Sequence, residues 1–439
     1  MPRIFSQRLI CLKKGLRFAT IIPIRSAKQS TTDGKRTKNM KILHTADWHI
    51  GQRLHERSRL DEHKQFLDWL LETIQKRKVE LLLVSGDIFD TSLPSAEATN
   101  LYYRFLYRLF DETDAYTVIT AGNHDSARHL EAPREFLEMG KIYVVGLATE
   151  PAKCVLPFPP DNPRLMVAAV PYLLESELRH FSYQTEAERN DRYREWLKAF
   201  YADCVAYMPA ELPKILMGHL FVQGGKETNS ERNIQIGGAT AIRAADFPDG
   251  VNYVALGHLH RPQTIKDTDY PIRYSGSPIP LRFNETGYSK KVYLLELSDD
   301  GSLVRDEDIE IPVFKELCTV EGDEAAILSR AMTGNWGGKY IQIKLKLSKP
   351  QTGINDEIRQ AFGDRGGEVL SVEIELPEAT QGPVIPVEEM ERPEKIFAQF
   401  HKAKFDGELP DETLAQTFSE LLQMVSDSSE GGFNLFPTP

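Results

Sequence analysis

Short apolar runs alternate with amphipathic helical stretches from Met40 onward, and this alternation restricts the fold more than any other feature of the chain. In residues 61–77, for example, Phe66, Leu67, Leu70 and Ile74 fall on one helical stripe. A second helix is predicted from Pro94 to about Phe110. Strands are predicted over Lys41–Thr45, Glu80–Ser85, Tyr116–Thr120, Ile142–Val145, Leu165–Val170, Lys214–Met217, Tyr253–Leu256, Ile272–Tyr274 and Lys291–Leu297. Strands that alternate with helices predict a layered α/β domain over residues 40–312.

Residues 313–377 form a second predicted unit. Lys339–Leu347 alternates apolar and polar residues as a half-buried strand does, 355–362 reads as a short helix, and Val369–Leu376 reads as another strand. This pattern predicts a small α+β cap domain. A linker with three prolines follows, and two amphipathic helices are predicted near 393–405 and 411–425. Residues 378–426 are interpreted as a linker and helices that bind a partner, with packing on the cap as the alternative. The Ser/Gly-rich tail, 427–439, is predicted to be disordered.

The first 39 residues differ from the rest in charge. They carry ten Lys and Arg and one acidic residue, Asp33, whereas the whole chain has a net charge of −11. An upstream start codon, with the working protein beginning at Met40, is the preferred interpretation, and an organelle transit peptide is the alternative. The acidic body is a poor DNA-binding surface by itself, because phosphate contacts need Lys and Arg.

The four cysteines are scattered and form no CxxC pair, which disfavours a zinc ribbon or a disulfide framework and fits a reducing compartment. No run of about 18 apolar residues occurs, so no transmembrane helix is predicted. The expected location is the cytoplasm.

Residue types that bind metals follow five of the predicted strands. The motifs are Asp47-Trp48-His49, Gly86-Asp87, Gly122-Asn123-His124-Asp125, Gly218-His219 and Gly257-His258-Leu259-His260. Open α/β sheets place their sites at the carboxyl ends of strands, and glycine lets the backbone turn sharply there. Five of the eleven histidines fall in these motifs, so the joint pattern is informative although each short motif alone is weak.

The number of candidate ligands indicates two ions rather than one. Seven residues offer oxygen or nitrogen donors: Asp47, His49, Asp87, Asn123, His219, His258 and His260. Asp87 is the expected bridge, since one carboxylate can use both of its oxygens. Two ions about 3.5–4 Å apart can hold a hydroxide for attack on phosphorus. Mixed carboxylate, amide and imidazole donors favour Mn²⁺, Fe or Zn²⁺ over Ca²⁺.

His124 is predicted to be the catalytic residue, acting as a general acid or cationic stabiliser at the leaving oxygen. Asp125 is a candidate to hold the His124 imidazole in place. The remaining histidines are interpreted as structural or exposed.

The order of these motifs resembles that of the calcineurin-like metallophosphoesterases. Longer strings, "KILHTADWHIG", "LLLVSGDIFDTSLPS", "VNYVALGHLHRPQ" and "RYSGSPIPLRFNE", resemble the SbcD family of nuclease subunits from Met40 to about Val425. Asp90 stands where archaeal and eukaryotic relatives often have a histidine, which resembles the bacterial pattern and removes a second candidate catalytic histidine. Asp90 is kept as a supporting residue.

The resemblance implies a two-sheet sandwich flanked by helices, a cap that helps to select DNA, and two Mn²⁺ ions. It puts Asp87 on both ions, and His124 on the phosphodiester. One ion would take Asp47, His49 and His260, and the other would take Asn123, His219 and His258. It also implies a homodimer that joins an SbcC-like coiled-coil ABC ATPase in a heterotetramer. The implied activities are an ATP-dependent exonuclease on double-stranded DNA and an endonuclease on single strands and hairpins, in DNA repair, recombination and replication.

Arg53, Arg57 and Arg59 follow the first metal motif and are candidates to contact DNA phosphates, with a solvated surface as an equal alternative. The sequence alone leaves two other functions open. A phosphatase or cyclic-nucleotide phosphodiesterase could use the same metal site, although it has less use for a cap and C-terminal helices. A non-catalytic scaffold is disfavoured because all seven candidate ligands and His124 are present.

Overall fold

The computed structural model describes residues 39–173, 185–228, 242–266 and 268–376, and parts of 397–421 (397–398, 400–402, 409–411, 413–419 and 421). The basic segment, the Pro-rich linker and the predicted tail lie outside the described residues, and the two C-terminal helices are described only in part. Within the described part of the chain, no helix is both long and apolar enough to cross a membrane.

Strands and helices are numbered in chain order. The strands are β1 (Met40–Thr45), β2 (Arg53–Leu54), β3 (Arg57–Ser58), β4 (Leu81–Ser85), β5 (Tyr116–Thr120), β6 (Ile142–Val145), β7 (Val155–Phe158), β8 (Leu165–Ala169), β9 (Lys214–His219), β10 (Tyr253–Gly257), β11 (Gln263–Ile265), β12 (Ile272–Tyr274), β13 (Lys291–Leu297), β14 (Leu303–Glu310), β15 (Leu317–Asp323), β16 (Tyr340–Lys346) and β17 (Glu368–Glu375). The α-helices are α1 (Leu60–Arg77), α2 (Ala96–Glu112), α3 (Ala127–Glu131), α4 (Arg134–Glu138), α5 (Glu186–Ala206), α6 (Glu324–Thr333) and α7 (Ile354–Gly363).

Two six-stranded sheets build the catalytic domain. Their strand orders are β14-β13-β1-β4-β5-β6 and β11-β12-β10-β9-β8-β7. In the first sheet β1, β4, β5 and β6 are parallel, and in the second β8, β9, β10 and β12 are parallel. The parallel strands of each sheet therefore end at one edge, and the predicted metal motifs follow β1, β4, β5, β9 and β10 at these edges.

Alternate residues of the strands divide the core into two layers, since successive side chains point to opposite faces. Ile42 and Leu83 pack between the sheets with Val254 of β10, whereas Leu43 and Leu82 pack under α1 and α2. These strands are buried on both faces, which accounts for their continuous apolar runs. The predicted α/β sandwich with flanking helices is confirmed.

A separate three-stranded sheet follows, in the order β15-β16-β17. Its strands are parallel and are connected through α6 and α7, whereas an α+β arrangement was expected. The difference arises because β15 and α6 were not predicted from the sequence. Ile343, Ile358 and Phe362 are fully buried in its own small core. The opposite, polar face of β16 and β17 lies towards the catalytic domain, where Gln342 and Glu373 line a groove.

Most predicted elements occur within one or two residues of their expected bounds, with some differences. α2 begins at Ala96 rather than at Pro94, because the Ser95 hydroxyl caps it by accepting a hydrogen bond from the Ala98 N–H at 3.2 Å. The edge strand β14 was missed, since only a few of its residues are apolar and most are charged. α5, β7 and β11 were also not predicted.

Candidate metal centre

The turns that carry the candidate ligands have an unusual backbone. Asp47, His49, Asp87 and His258 all have positive φ angles, between 47° and 100°. Such conformations cost about 1–3 kcal/mol each for residues other than glycine, and they persist only where the surrounding structure enforces them. Their concentration at the ends of three strands marks this edge of the sandwich as a functional site.

Glycines allow these turns to pack against one another. A Cβ atom on Gly86 would collide with the His219 ring, and one on Gly122 would collide with the Asp87 carboxylate. Gly257 lies against the Ser85 carbonyl with equally little space. Gly86 and Gly257 are therefore needed for the close approach of strand ends from the two sheets, and Gly122 for the close approach of two neighbouring turns of the first sheet.

Asp87 occupies the middle of the site. Its Oδ2 atom lies 3.5 Å from His49 Nε2 and 3.3 Å from His219 Nε2. Its Oδ1 atom accepts a hydrogen bond from the His124 backbone N–H at 2.8 Å. We expected both oxygens of this carboxylate to be available to bind metal ions. In the structure, Oδ2 faces both His49 and His219, whereas Oδ1 accepts the backbone hydrogen bond.

Two groups of buried potential ligands share Asp87. One contains Asp47, Asp87 and His219, and the other contains His49, Asp87 and His124; within each group the ligand atoms lie within 4.8 Å of one another. Asn123 joins the first group through its Oδ1 atom, 2.9 Å from His219 Nε2. His260 joins the second group through its Nε2 atom, 3.1 Å from His49 Nε2. The resemblance implied that Asp47 and His49 hold one ion; Asp47 also lies near the other group, with its Oδ1 atom 3.8 Å from His219 Nδ1.

His258 lies beside the first group. Its ring centroid is 5.5 Å from that of His219, and its backbone N–H donates to Asp47 Oδ1 at 2.7 Å. All seven predicted ligands therefore meet at one site although they come from five separate turns.

The hydrogen bonds of His219 indicate that a cation fits the first group. Its Nδ1–H faces the Ser85 carbonyl at 3.0 Å, which leaves the lone pair of neutral His219 on Nε2. That lone pair points at the Asn123 and Asp87 oxygens, which are also acceptors, so a positive charge is required between them. The Oδ2 atom of Asp47 is buried there and has no hydrogen-bond partner in the described residues. This set of donors fits a divalent metal ion.

The ionisation of the site is strongly coupled. Burial disfavours the charged forms of both Asp87 and His219, but their attraction lowers the pKa of Asp87 well below its usual range and raises the pKa of His219 to about 9. Burial raises the pKa of Asp47 to about 7, with the neighbouring Asp87 charge adding to the effect. Burial, together with the charge of His219, lowers the pKa of His258 well below its usual range.

His124 is positioned differently from the expectation. Its Nδ1 atom is 2.7 Å from the backbone carbonyl oxygen of Asp90. The Asp125 carboxylate instead accepts backbone N–H bonds from Gly122, Ile88 and Phe89 at 2.9–3.0 Å. Asp125 thus ties the turn after β5 to the turn after β4. The Asp90 carboxylate lies 3.4 Å from His49 Nδ1, so Asp90 contacts two of the histidines through different atoms.

Comparison with known proteins agrees with this geometry. The family model described as "Calcineurin-like phosphoesterase" matches residues 40–262. The chain belongs to the calcineurin-like phosphoesterase family. The resemblance indicated by the motif order is thereby confirmed, and the five turns described above all lie within the matched residues.

Relatives of this chain within the family are named as the SbcD subunit of the nuclease SbcCD. That of Escherichia coli (strain K12) is 37% identical over 66% of this chain and 73% of its own length. That of Bacillus subtilis (strain 168) is 31% identical over 88% of this chain and 99% of its own length. Among solved structures, a dimetal phosphatase from Danio rerio aligns with 62% of this chain and 99% of its own, at 11% identity and a TM-score of 0.35, a likeness too low to carry an argument.

Glu285 is a part of the calcineurin-like site that the sequence reasoning missed. Its Oε1 atom lies 3.5 Å from His260 Nδ1, and its Oε2 atom pairs with the buried Lys290 ammonium at 2.5 Å. Oε2 also accepts from the Leu281 N–H and the Ser277 hydroxyl, both at 3.2 Å. The carboxylate thereby orients His260 so that Nε2 faces His49. The string "RYSGSPIPLRFNE", used for the family resemblance, contains Ser277 and Glu285 and could have indicated them.

The three arginines predicted to contact DNA have protein partners. Arg59 is fully buried, forms an ion pair with Glu62 and donates to the Pro280 carbonyl at 2.9 Å, so the prediction of a phosphate contact is wrong for this residue. A charged side chain without exposure cannot reach a phosphate. Arg57 is exposed and forms an ion pair with Glu368 of β17. Arg53 donates to the Glu56 carbonyl and remains exposed at the site.

A groove of about 580 Å³ leads to the second group of ligands. His49, His124 and His260 lie on its floor, and its walls come from the β2–β3 hairpin, from residues 281–284 and from β16 and β17. The centre is therefore open to solvent on the side that faces the small sheet. A substrate can approach His124 directly through this opening.

Proposed function

We propose that this chain is a two-metal DNA phosphodiesterase, the SbcD component of an SbcCD-type nuclease. The observation that carries the proposal is a pair of buried ligand groups that share Asp87, in a chain aligned over 88% of its length with a nuclease subunit. Two ions at such a centre would supply a bound hydroxide and neutralise charge on the phosphate. The metal is proposed to be manganese, on the basis of its mixed oxygen and nitrogen ligands.

The proposed ligand set is Asp47, His49, Asp87, Asn123, His219, His258 and His260. The roles of the chain's own residues follow from their contacts. Ser85 and Glu285 hold His219 and His260 with their Nε2 atoms directed inward. The shared Asp87 keeps the two groups at a fixed separation.

His124 is proposed to act on the substrate rather than to serve mainly as a ligand. The Asp90 carbonyl fixes its Nδ1–H, and the ring lies on the groove floor beside His49. Protonated His124 can then donate its Nε2 proton to the leaving oxygen as the phosphodiester bond breaks.

The biological substrates are proposed from the relatives. The chain would act in a complex with an SbcC-like coiled-coil ABC ATPase, as an ATP-dependent exonuclease on double strands and an endonuclease on single strands and hairpins. It would work on DNA in the bacterial nucleoid, in repair, recombination and replication. The acidic body supports dependence on a partner, because its acidic residues outnumber its basic ones and phosphate contacts need Lys and Arg.

Exposed apolar side chains support the proposed partners. Phe400, Leu414 and Leu421 of the C-terminal helices are 59%, 41% and 55% exposed, although Phe397 stacks on Phe418 at 4.1 Å between ring centroids. These helices are proposed to bind the coiled-coil ATPase. Phe136 and Met139, on and just after α4, are 74% and 79% exposed, which supports a homodimer contact there.

The decisive experiment is a nuclease assay on the protein co-expressed with its coiled-coil ATPase. A duplex with a hairpin end should be cleaved in Mn²⁺ with ATP, and bis(p-nitrophenyl) phosphate should be hydrolysed more slowly. His124→Ala should retain both metal ions but lose cleavage, about 10²-fold or more. Asp87→Ala should lose bound metal as well, since it removes the shared ligand.

Two results would contradict the proposal. Hydrolysis of the small diester without cleavage of any DNA, with partner and ATP present, would favour the phosphatase or cyclic-nucleotide phosphodiesterase. Full cleavage by His124→Ala in Mn²⁺ would remove His124 from the chemistry.

A further inference from the structure

Two cations line the groove, one from the catalytic domain and one from the small sheet. Arg282 follows β12 on the catalytic domain and is exposed, and Lys344 lies on β16 of the small sheet and is half-buried. Within the described residues neither side chain has an ion pair, whereas Arg57 and Arg59 are paired with glutamates. Their charges are therefore available to a ligand in the groove.

The position of Lys344 follows from the alternation of β16. Ile341, Ile343 and Leu345 point into the core beneath the helices, so Lys344 points to the opposite face, towards the groove. Its cross-strand neighbours are Glu373 on β17 and Glu321 on β15, and Glu321 forms its ion pair with Lys346. The Glu373 carboxylate accepts a hydrogen bond from the Gln342 side-chain amide at 2.7 Å. Gln342 thereby engages the acidic group that could otherwise neutralise Lys344.

The groove that these cations line also contains the catalytic centre, since His49, His124 and His260 line it as well. The acidic groups in the groove are Glu373, bound to Gln342, and Asp90, which lies against His49. A phosphate at the centre would thus share the groove with one cation from the catalytic domain and one from the small sheet.

We propose that Arg282 and Lys344 bind the phosphates that flank the scissile phosphodiester of a nucleic acid strand. This inference rests on the proposed function and deepens it, because it makes the two residues determinants of substrate length. A strand with several phosphates can engage both walls at once, whereas a single phosphodiester can engage only the centre. Arginine and lysine supply this contact without reading sequence.

The test compares two substrates of the complex in Mn²⁺. One is a single-stranded oligonucleotide of about 12 nucleotides, a length within the range that one binding groove holds. The other is bis(p-nitrophenyl) phosphate. For Arg282→Gln and for Lys344→Gln, the ratio of kcat/KM on the oligonucleotide to kcat/KM on the small diester should fall about tenfold. The fall should come chiefly through KM for the oligonucleotide.

Lys346→Gln is the matched control. Lys346 lies on the same strand and face as Lys344, but it is paired with Glu321 and does not line the groove. This variant should keep the wild-type ratio. Each groove variant in a His124→Ala background should also reduce the slope of log Kd against log salt concentration by about 0.7, the value for loss of one single-strand phosphate contact.

Three outcomes would overturn the inference: an unchanged ratio in both groove variants, an equal loss on both substrates, or a loss of the same size in Lys346→Gln. Failure of the proposed function is distinguishable, because the wild-type complex would then cleave no oligonucleotide.

Discussion

At the scale of single residues, the site depends on oxygen atoms that orient its histidines. Ser85, Asp90 and Glu285 each place an oxygen at the Nδ1 atom of a histidine. These contacts select which ring nitrogen faces the centre, and thereby convert flexible side chains into fixed donors. Glu285 has the additional task of neutralising Lys290, whose side chain is 5% exposed.

Replacing Glu285 separates these two tasks. Glu285→Gln leaves a buried ammonium without its anion and should lower the free energy of unfolding by about 3 kcal/mol. It should also weaken Mn²⁺ binding by about 10–100-fold, since His260 loses its orienting carboxylate. Urea denaturation and calorimetric titration with Mn²⁺ would measure the two effects.

The double variant Glu285→Gln/Lys290→Met provides the control for that prediction. This variant also removes the buried Lys290 charge, so the free energy of unfolding should recover while Mn²⁺ affinity stays low. If affinity recovered together with stability, Glu285 would be structural and would have no orienting role.

At the scale of elements, polar contacts connect the two sheets through their middle strands. His44 of β1 is fully buried, and its Nδ1 atom is 3.0 Å from the Tyr253 hydroxyl of β10. Burial, together with the charge of Arg273, lowers the pKa of His44 to about 3. A buried neutral histidine makes the stability of the sandwich depend on pH.

The sign of that dependence is fixed by the direction of the shift. Below about pH 6.5 the unfolded chain protonates His44 but the folded chain does not until about pH 3, so stability is lost as the pH falls through this interval. The slope contributed by His44 should approach about 1.4 kcal/mol per pH unit. In His44→Phe, the free energy of unfolding should therefore fall less steeply with decreasing pH than in the wild type.

Urea denaturation at several pH values from about 7 down to about 5 would measure this slope. A residual slope is expected in the variant, because burial also lowers the pKa of His63 to about 4. Identical slopes in the two proteins would show that His44 titrates alike in the folded and unfolded chains, contrary to the prediction.

At the scale of the whole molecule, the small sheet is held against the catalytic domain beside the groove. Leu54 of the hairpin, Phe283 after β12 and Leu317 of β15 form a small apolar cluster at this junction. The Arg57–Glu368 ion pair lies in the same region, on an exposed surface. An exposed ion pair contributes only about 0.5 kcal/mol to stability, so its loss should have little effect on folding. Because this pair joins the hairpin to β17 beside the groove, its loss should instead change substrate binding.

Reversal of this ion pair tests whether the junction positions the groove wall. In Arg57→Glu, the new glutamate would repel Glu368 and shift the groove wall formed by the small sheet. KM for an oligonucleotide should therefore rise about threefold, which corresponds to a fraction of a kcal/mol. The charge-swapped variant Arg57→Glu/Glu368→Arg should restore KM. Steady-state assays of the two variants and the wild type would measure this, and a swapped variant as impaired as the single one would contradict the positioning role.

The sequence by itself determined nine of the twelve sandwich strands, the helices α1 and α2, and the set of residues that meet at the strand ends. These features follow from local patterns, because the spacing of apolar residues and the residue types directly after a strand can be seen in the sequence without knowledge of distant contacts. Asp47, Asp87 and His219 were predictable for this reason. β14 and β15 were not, because strands at sheet edges need few apolar residues.

Only the tertiary structure decided which partners those residues have. Arg59 looked like a phosphate ligand but is buried against Glu62, and Glu285 looked ordinary but orients His260. The closeness of Asp47 to His219, and the groove cations Arg282 and Lys344, likewise depend on segments far apart in the chain. Burial and charge pairing result from such long-range packing, and no local pattern encodes them.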